Sequence, residues 1–180
     1  MGNYLSAYSI HFKGLKVGKH LFNFEVDKKF FEEFEEGEIK QGLLQVDVIL
    51  TKQSQMLDLN ISINGSVEVV CDRCLDCFDY PISYKGSLFV KFGEEKAEEG
   101  EEIIILSNDD YEINLAQYIY ESISLSLPYQ RYHGINGLKG KCDKEMIEKL
   151  KSHLSSNSKK KEEAIDVDPR WNKLKDIKLN

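Results

Sequence analysis

The chain has 180 residues, 41% of them hydrophobic and 31% charged, a length and balance that suit one packed domain and exclude an intrinsically disordered polymer. Its formal charge of −7 argues against nucleic-acid binding through one broad basic face. No apolar run approaches the roughly 20 residues that cross a bilayer and no secretory leader pattern is present, so a cytoplasmic protein that makes no membrane contact is expected.

Tyr8, Ile10 and Phe12 alternate as a short strand that Gly14 ends. Residues 21–26 put Phe22, Phe24 and Val26 on one face of a second strand, and Asp27 then offers an N-cap to a short helix carrying Phe30, Phe31 and Phe34. Leu44, Val46, Val48 and Leu50 recur with period two, as do Leu57, Leu59, Ile61 and Ile63, which predicts two half-buried antiparallel strands. Asn64-Gly65 is a favoured hairpin pair, so a turn is expected there, with residues 67–70 as the next strand delivering the chain into Cys71.

Leu88, Val90 and Phe92 mark a further strand. Residues 94–112 hold nine acids against Lys96; the acidic run at their start reads as a solvated loop, and residues 103–106 supply a last strand. Asn114 with Gln117 three positions on resembles a capping box for a helix through Leu115, Ile119 and Ile123, and Pro128 closes that region. Met146, Ile147, Leu150 and Leu154 give a second amphipathic helix.

The organisation that follows is a single β-rich domain over 1–154, a flexible linker over 155–167 rich in serine, lysine and glutamate, and a C-terminal helical arm over 168–180. Asp168-Pro169 has the form of a helix start, and Trp171, Leu174 and Ile177 follow at helical spacing. Trp171 and Leu174 are therefore the candidates for docking the arm on the domain or on a partner. The fold class is α+β: a mainly antiparallel β-sheet, barrel-like if its edges meet, with short helices and a cysteine knuckle at a strand end.

That knuckle is Cys71-Asp72-Arg73-Cys74. Two residues between thiolates let both sulfurs turn toward one ion, but a tetrahedral site needs two further nitrogen or sulfur ligands. Cys77, His133 and Cys142 are available, so three thiolates with an imidazole and four thiolates are both open, beside a purely structural reading of the cysteines as small buried side chains. Thiol exchange is disfavoured because too few residues separate Cys74 from Pro81 for the long helix such a site uses.

No phosphate-binding glycine loop, nucleophile elbow or zinc-protease helix motif occurs in the sequence. Carboxylates in the 94–102 run share one solvated environment, which does not separate their pKa values for acid and base roles. Basic residues gather late: residues 139–180 carry twelve bases against eight acids. Tyr129, Arg131 and Tyr132, followed by Lys139 and Lys141, interleave aromatic and basic groups as a surface for unpaired RNA bases would. The competing reading has Tyr129 and Tyr132 packing near the knuckle and Arg131 pairing with a local acid.

Val69-Val70-Cys71-Asp72-Arg73-Cys74-Leu75, then Leu125-Ser126-Leu127-Pro128 with His133 and Cys142, then Asp168-Pro169-Arg170-Trp171 with Leu174, together resemble the YceD family of large ribosomal RNA subunit accumulation proteins, in a Bacteroides-type bacterial form. The resemblance runs from Gly65 to the C-terminus. It implies a non-enzymatic ribosome-biogenesis factor supporting accumulation of large-subunit rRNA, with metal-binding and nucleic-acid-binding character. It implies as ligands Cys71, Cys74, His133 and Cys142, in chemistry suited to a structural zinc, while Cys77 lies outside the family pattern and stays an alternative ligand. The expected partners are the large-subunit rRNA precursor or the assembling large subunit, and a ribosomal protein. A metal- or thiol-dependent enzyme and an adaptor that binds only protein are the rival readings.

Overall fold

The structure, a computed structural model, describes residues 4–34, 37–93, 103–138 and 140–158. A 3-10 turn at Tyr4–Tyr8 leads into β1 (Ser9–His11), β2 (Gly18–Val26), α1 (Lys28–Glu32), β3 (Gly42–Lys52), β4 (Met56–Val70), β5 (Cys77–Phe92), β6 (Ile103–Leu106), β7 (Glu112–Asn114), α2 (Ala116–Leu125) and α3 (Lys144–Ser158). The expected α+β class is observed. Five strands form one sheet in the order β2-β3-β4-β5-β6, and β1 pairs with β7 in a separate two-stranded ladder. Among the described residues the larger sheet is open, so the barrel-like closure considered from sequence is not formed.

Period-two patterning explains the layering. Val46, Val48, Leu50, Leu57, Leu59, Ile61, Ile63 and Val90 point to one face and are nearly fully buried, each contributing about 1.5–3 kcal/mol on leaving water. Phe30 and Phe31 of α1, Ile119 and Ile123 of α2, and Ile10 of β1 join the same core. On the other face, Asn23 bonds Asp47, Ser83 bonds Asn64 and Ser87 bonds Asn60, a solvated polar surface of the kind antiparallel sheets tolerate.

Three local expectations need correction. Asn64-Gly65 makes no turn: β4 runs unbroken through it, with Gly65 opposite Leu44. A Cβ on Gly65 would stand 2.2 Å from the Leu43 carbonyl oxygen at a φ of +155°, so glycine is there for close strand approach. Residues 57–63 and 67–70 are accordingly one strand, and its hairpin partner β5 is reached through residues 71–76. Second, the strand at 103–106 is not the last and it pairs with β5 in parallel, whereas β2 to β5 are antiparallel throughout.

Third, only part of the capping box at α2 forms. Asn114 Oδ1 accepts from the Ala116 amide at 2.9 Å, but the Gln117 side chain turns forward to Glu121. Pro81 fits inside β5 because β6 reaches only Phe89–Phe92, leaving the outer edge at Pro81 without a ladder bond to lose. The helix of α3 continues to Ser158, into the segment read as linker, and the arm with Trp171 and Leu174 lies outside the described residues.

Asp27 does cap α1, accepting from the Phe30 amide at 3.1 Å and from the Tyr4 hydroxyl at 3.0 Å. Asp27→Ala is expected to cost about 1 kcal/mol and lower the melting temperature by about 2–4 °C. A thermal melt indistinguishable from the unsubstituted protein's would show that the cap contributes nothing.

Candidate metal centre

The two longest strands of the sheet lead into and out of the first half of the site. The β4–β5 ladder closes at Val70 opposite Cys77; beyond it the Cys71 amide donates to the Asp76 carbonyl and the Leu75 amide to the Cys71 carbonyl, both at 2.9 Å. This folds residues 71–76 into a knuckle with Leu75 at a φ of 65°. Cys71 and Cys74 are both buried, with their thiols turned inward from the hairpin tip.

The second half comes from the loop after α2. Asp72 and Arg131 join the two halves: the Arg131 amide donates to Asp72 Oδ2 at 2.6 Å and the Asp72 amide to the Arg131 carbonyl at 2.7 Å. The Arg131 guanidinium is in turn held by the Glu38 carboxylate, which raises its pKa further. His133 follows two residues later with its ring 4.7 Å from the Phe78 ring. Gly140 makes room for it, since a Cβ there would stand 3.0 Å from the imidazole Cδ2 at a φ of +140°. Cys142 then precedes Asp143, whose carboxylate accepts from the Glu145 amide at the start of α3.

These elements bring together Cys71, Cys74, His133 and Cys142, whose ligand atoms all lie within 4.8 Å of one another. Cys71 Sγ is 3.7 Å from Cys142 Sγ, and Cys74 Sγ is 3.4 Å from His133 Nδ1. A tetrahedron with sulfur at about 2.3 Å and imidazole nitrogen at about 2.0 Å has edges of about 3.8 and 3.5 Å. The group can therefore hold a metal ion, and its donor set is the closed three-sulfur, one-nitrogen type.

The electrostatics agree. Burial pushes the Cys71 thiol up, but the backbone amides of Cys74, Arg73 and His133 outweigh it and the net shift is downward. Cys142 moves the other way, raised by burial and by its contacts with Cys71 and Cys74. The first thiolate thus disfavours the next, and a divalent cation held by these residues would offset that repulsion. No helix N-terminus follows the cysteine pair, because residues 71–76 pass directly into β5, so the arrangement lacks the helix dipole that activates thiol-exchange sites.

Cys77 stands apart. It is exposed, lies opposite Val70 across the ladder, and its thiol is raised by desolvation and the nearby Glu68 carboxylate. Of the residues read as RNA contacts, Tyr129 is 97% exposed and Lys141 is exposed, while Lys139 lies outside the described residues. Arg131 is committed to Glu38, and Tyr132 carries the Arg73 guanidinium 3.6 Å above its ring. Sequence reasoning missed Glu38, Asp72, Arg73 and Phe78 as supports of the site. Asp72 and Arg73 could have been noticed inside the cysteine pair, whereas Glu38 left no local signal.

A family model described as Large ribosomal RNA subunit accumulation protein YceD matches residues 59–178. The chain belongs to the YceD family. The matched span begins within β4 and includes all four candidate ligands, while β1 to β3 precede it. A YceD protein has, by the family's description, a role in accumulation of the large ribosomal RNA subunit. Comparisons with curated proteins and with solved structures give no match. No helix among the described residues is long and apolar enough to cross a membrane.

Proposed function

We propose that this YceD protein is a non-enzymatic assembly factor that supports accumulation of large-subunit rRNA by binding the RNA or the precursor particle, with one structural zinc held by Cys71, Cys74, Cys142 and His133. The observation that carries this reading is the coincidence of the family match with a four-ligand cluster. Such a cluster, with four protein donors among the described residues, suits a structural role rather than activation of a bound water. Zinc would tie the hairpin tip to the loop after α2 and so fix the surface around the knuckle.

RNA contact is assigned to that surface. Tyr129 offers an exposed ring for stacking, with Tyr132, Lys141 and, outside the described residues, Lys139 assigned as further contacts. Arg131 would contribute mainly by holding the loop, since its guanidinium already has a carboxylate partner. The arm with Trp171 and Leu174 is carried forward as a second docking element on the particle, and the protein is assigned to the cytoplasm where that particle forms. With a net charge of −7, binding to bare RNA should be weak and should fall steeply as salt rises.

The test is a gradient profile with RNA quantification. Deleting the gene should lower large-subunit precursor RNA and mature large subunits relative to small ones. The combined substitution Tyr129→Ala, Lys139→Ala and Lys141→Ala should reproduce part of that defect. An unchanged subunit ratio in the deletion strain would reject the assembly role; a defect on deletion alone would reject these contact residues.

A further inference from the structure

The tip of the β4–β5 hairpin presents a leucine where neither stability nor solubility favours one. Leu75 has a φ of 65°, the left-handed region in which a branched apolar side chain is strained and glycine or asparagine is preferred. Its side chain is nonetheless 65% exposed. The knuckle turn sets that φ, but it does not call for a leucine, and an exposed leucine there points to a requirement outside the folded chain.

Leu75 is not alone. Val70, the last residue of β4, is 51% exposed, and the exposed Cys77 lies directly across the ladder from it. All three are exposed within the eight residues that form the hairpin end. Around it, residues 68–79 carry Glu68, Asp72, Asp76 and Asp79 against a single base, Arg73. Glu68 and Asp79 are direct cross-strand partners, a like-charge pairing that disfavours the isolated sheet. Arg73, exposed and stacked on Tyr132, keeps its charge and offsets one of the four acids, which leaves the tip acidic.

We propose that this tip is a docking surface for a basic protein of the assembling large subunit, with Leu75 as the apolar anchor. The inference rests on the large-subunit reading above. The acidic rim repels phosphate, and it complements a partner with lysine or arginine around an apolar pocket.

Leu75→Asn removes the apolar anchor and places at that φ a residue that tolerates it; Leu75→Met keeps an apolar side chain. The probe is the purified large-subunit precursor particle from cells lacking the protein, titrated with the full-length chain. Expected is a loss of about tenfold or more in affinity for Leu75→Asn, or about 1.4 kcal/mol, with a melting temperature no lower than that of the unsubstituted protein and with near-normal binding by Leu75→Met. A photo-crosslinking residue at position 75 should attach to a basic protein of the particle.

Unchanged binding by Leu75→Asn overturns the proposal, as does a crosslink to RNA. Should Leu75→Asn melt early, the crosslink decides the matter on an otherwise unaltered chain, for or against. Failure of the unsubstituted protein to bind the particle removes the large-subunit reading and this inference with it, an outcome distinct from failure at position 75 alone.

Discussion

Cys74→Ser is expected to lower the melting temperature by about 8 °C or more and to abolish zinc binding. Structural zinc contributes apparent folding energy of about 10–16 kcal/mol in small zinc domains. This chain has a separate core under its sheet and would keep part of its stability without the ion. Loss of even about 4 kcal/mol corresponds to about 8–16 °C for a domain of this size. Cys74 Sγ lies 3.4 Å from His133 Nδ1, so its removal unties the loop as well as the hairpin. Elemental analysis should give one zinc per chain before substitution and none after it, in parallel with scanning calorimetry. Metal-free protein that melts with the unsubstituted curve would reject a structural zinc.

Gly65→Ala should rank with the cysteine change although it is nowhere near the ligands. The new Cβ would meet the Leu43 carbonyl oxygen at 2.2 Å and Leu44 Cα at 2.6 Å, and would hold an L-residue at a φ of +155°. Both neighbours are backbone, which cannot rotate away as a side chain can. Forced backbone movement and dihedral strain together are expected to cost about 4 kcal/mol, read as a fall of about 8–16 °C in the melt. Metal content should survive, because the β4–β5 hairpin tip beyond Val70 is untouched. A melt within a degree or two of the unsubstituted protein would show that β3 and β4 separate there without penalty.

Gly65 also shows how a sequence signal can mislead. Asn64-Gly65 has the composition of a tight turn, yet Leu57 to Ile63 and Val67 to Val69 are buried on the same odd-numbered positions, the phase of one uninterrupted strand. Attending to phase rather than to the dipeptide would have placed the hairpin at residues 71–76, and with it both knuckle cysteines at the tip. The partial capping box at Asn114 failed for a related reason: Gln117 found a partner one helical turn onward in Glu121, which no short motif excludes.

What the sequence determined by itself was whatever local periodicity and spacing can carry. Alternation specified the strands and their buried face, Asp27 specified the start of α1, and two residues between Cys71 and Cys74 specified that both thiols turn to one side. The tertiary structure decided the rest. His133 reaches Cys74 across 59 positions, Cys142 reaches Cys71 across 71, and Glu38 holds Arg131 across 93. Contacts at such separations leave no period in the chain, since their geometry is set by how long strands and a glycine-bent loop return to one point. Cys77 is left outside the cluster in the same way: it is exposed at the ladder end opposite Val70, while Cys71, Cys74, His133 and Cys142 converge.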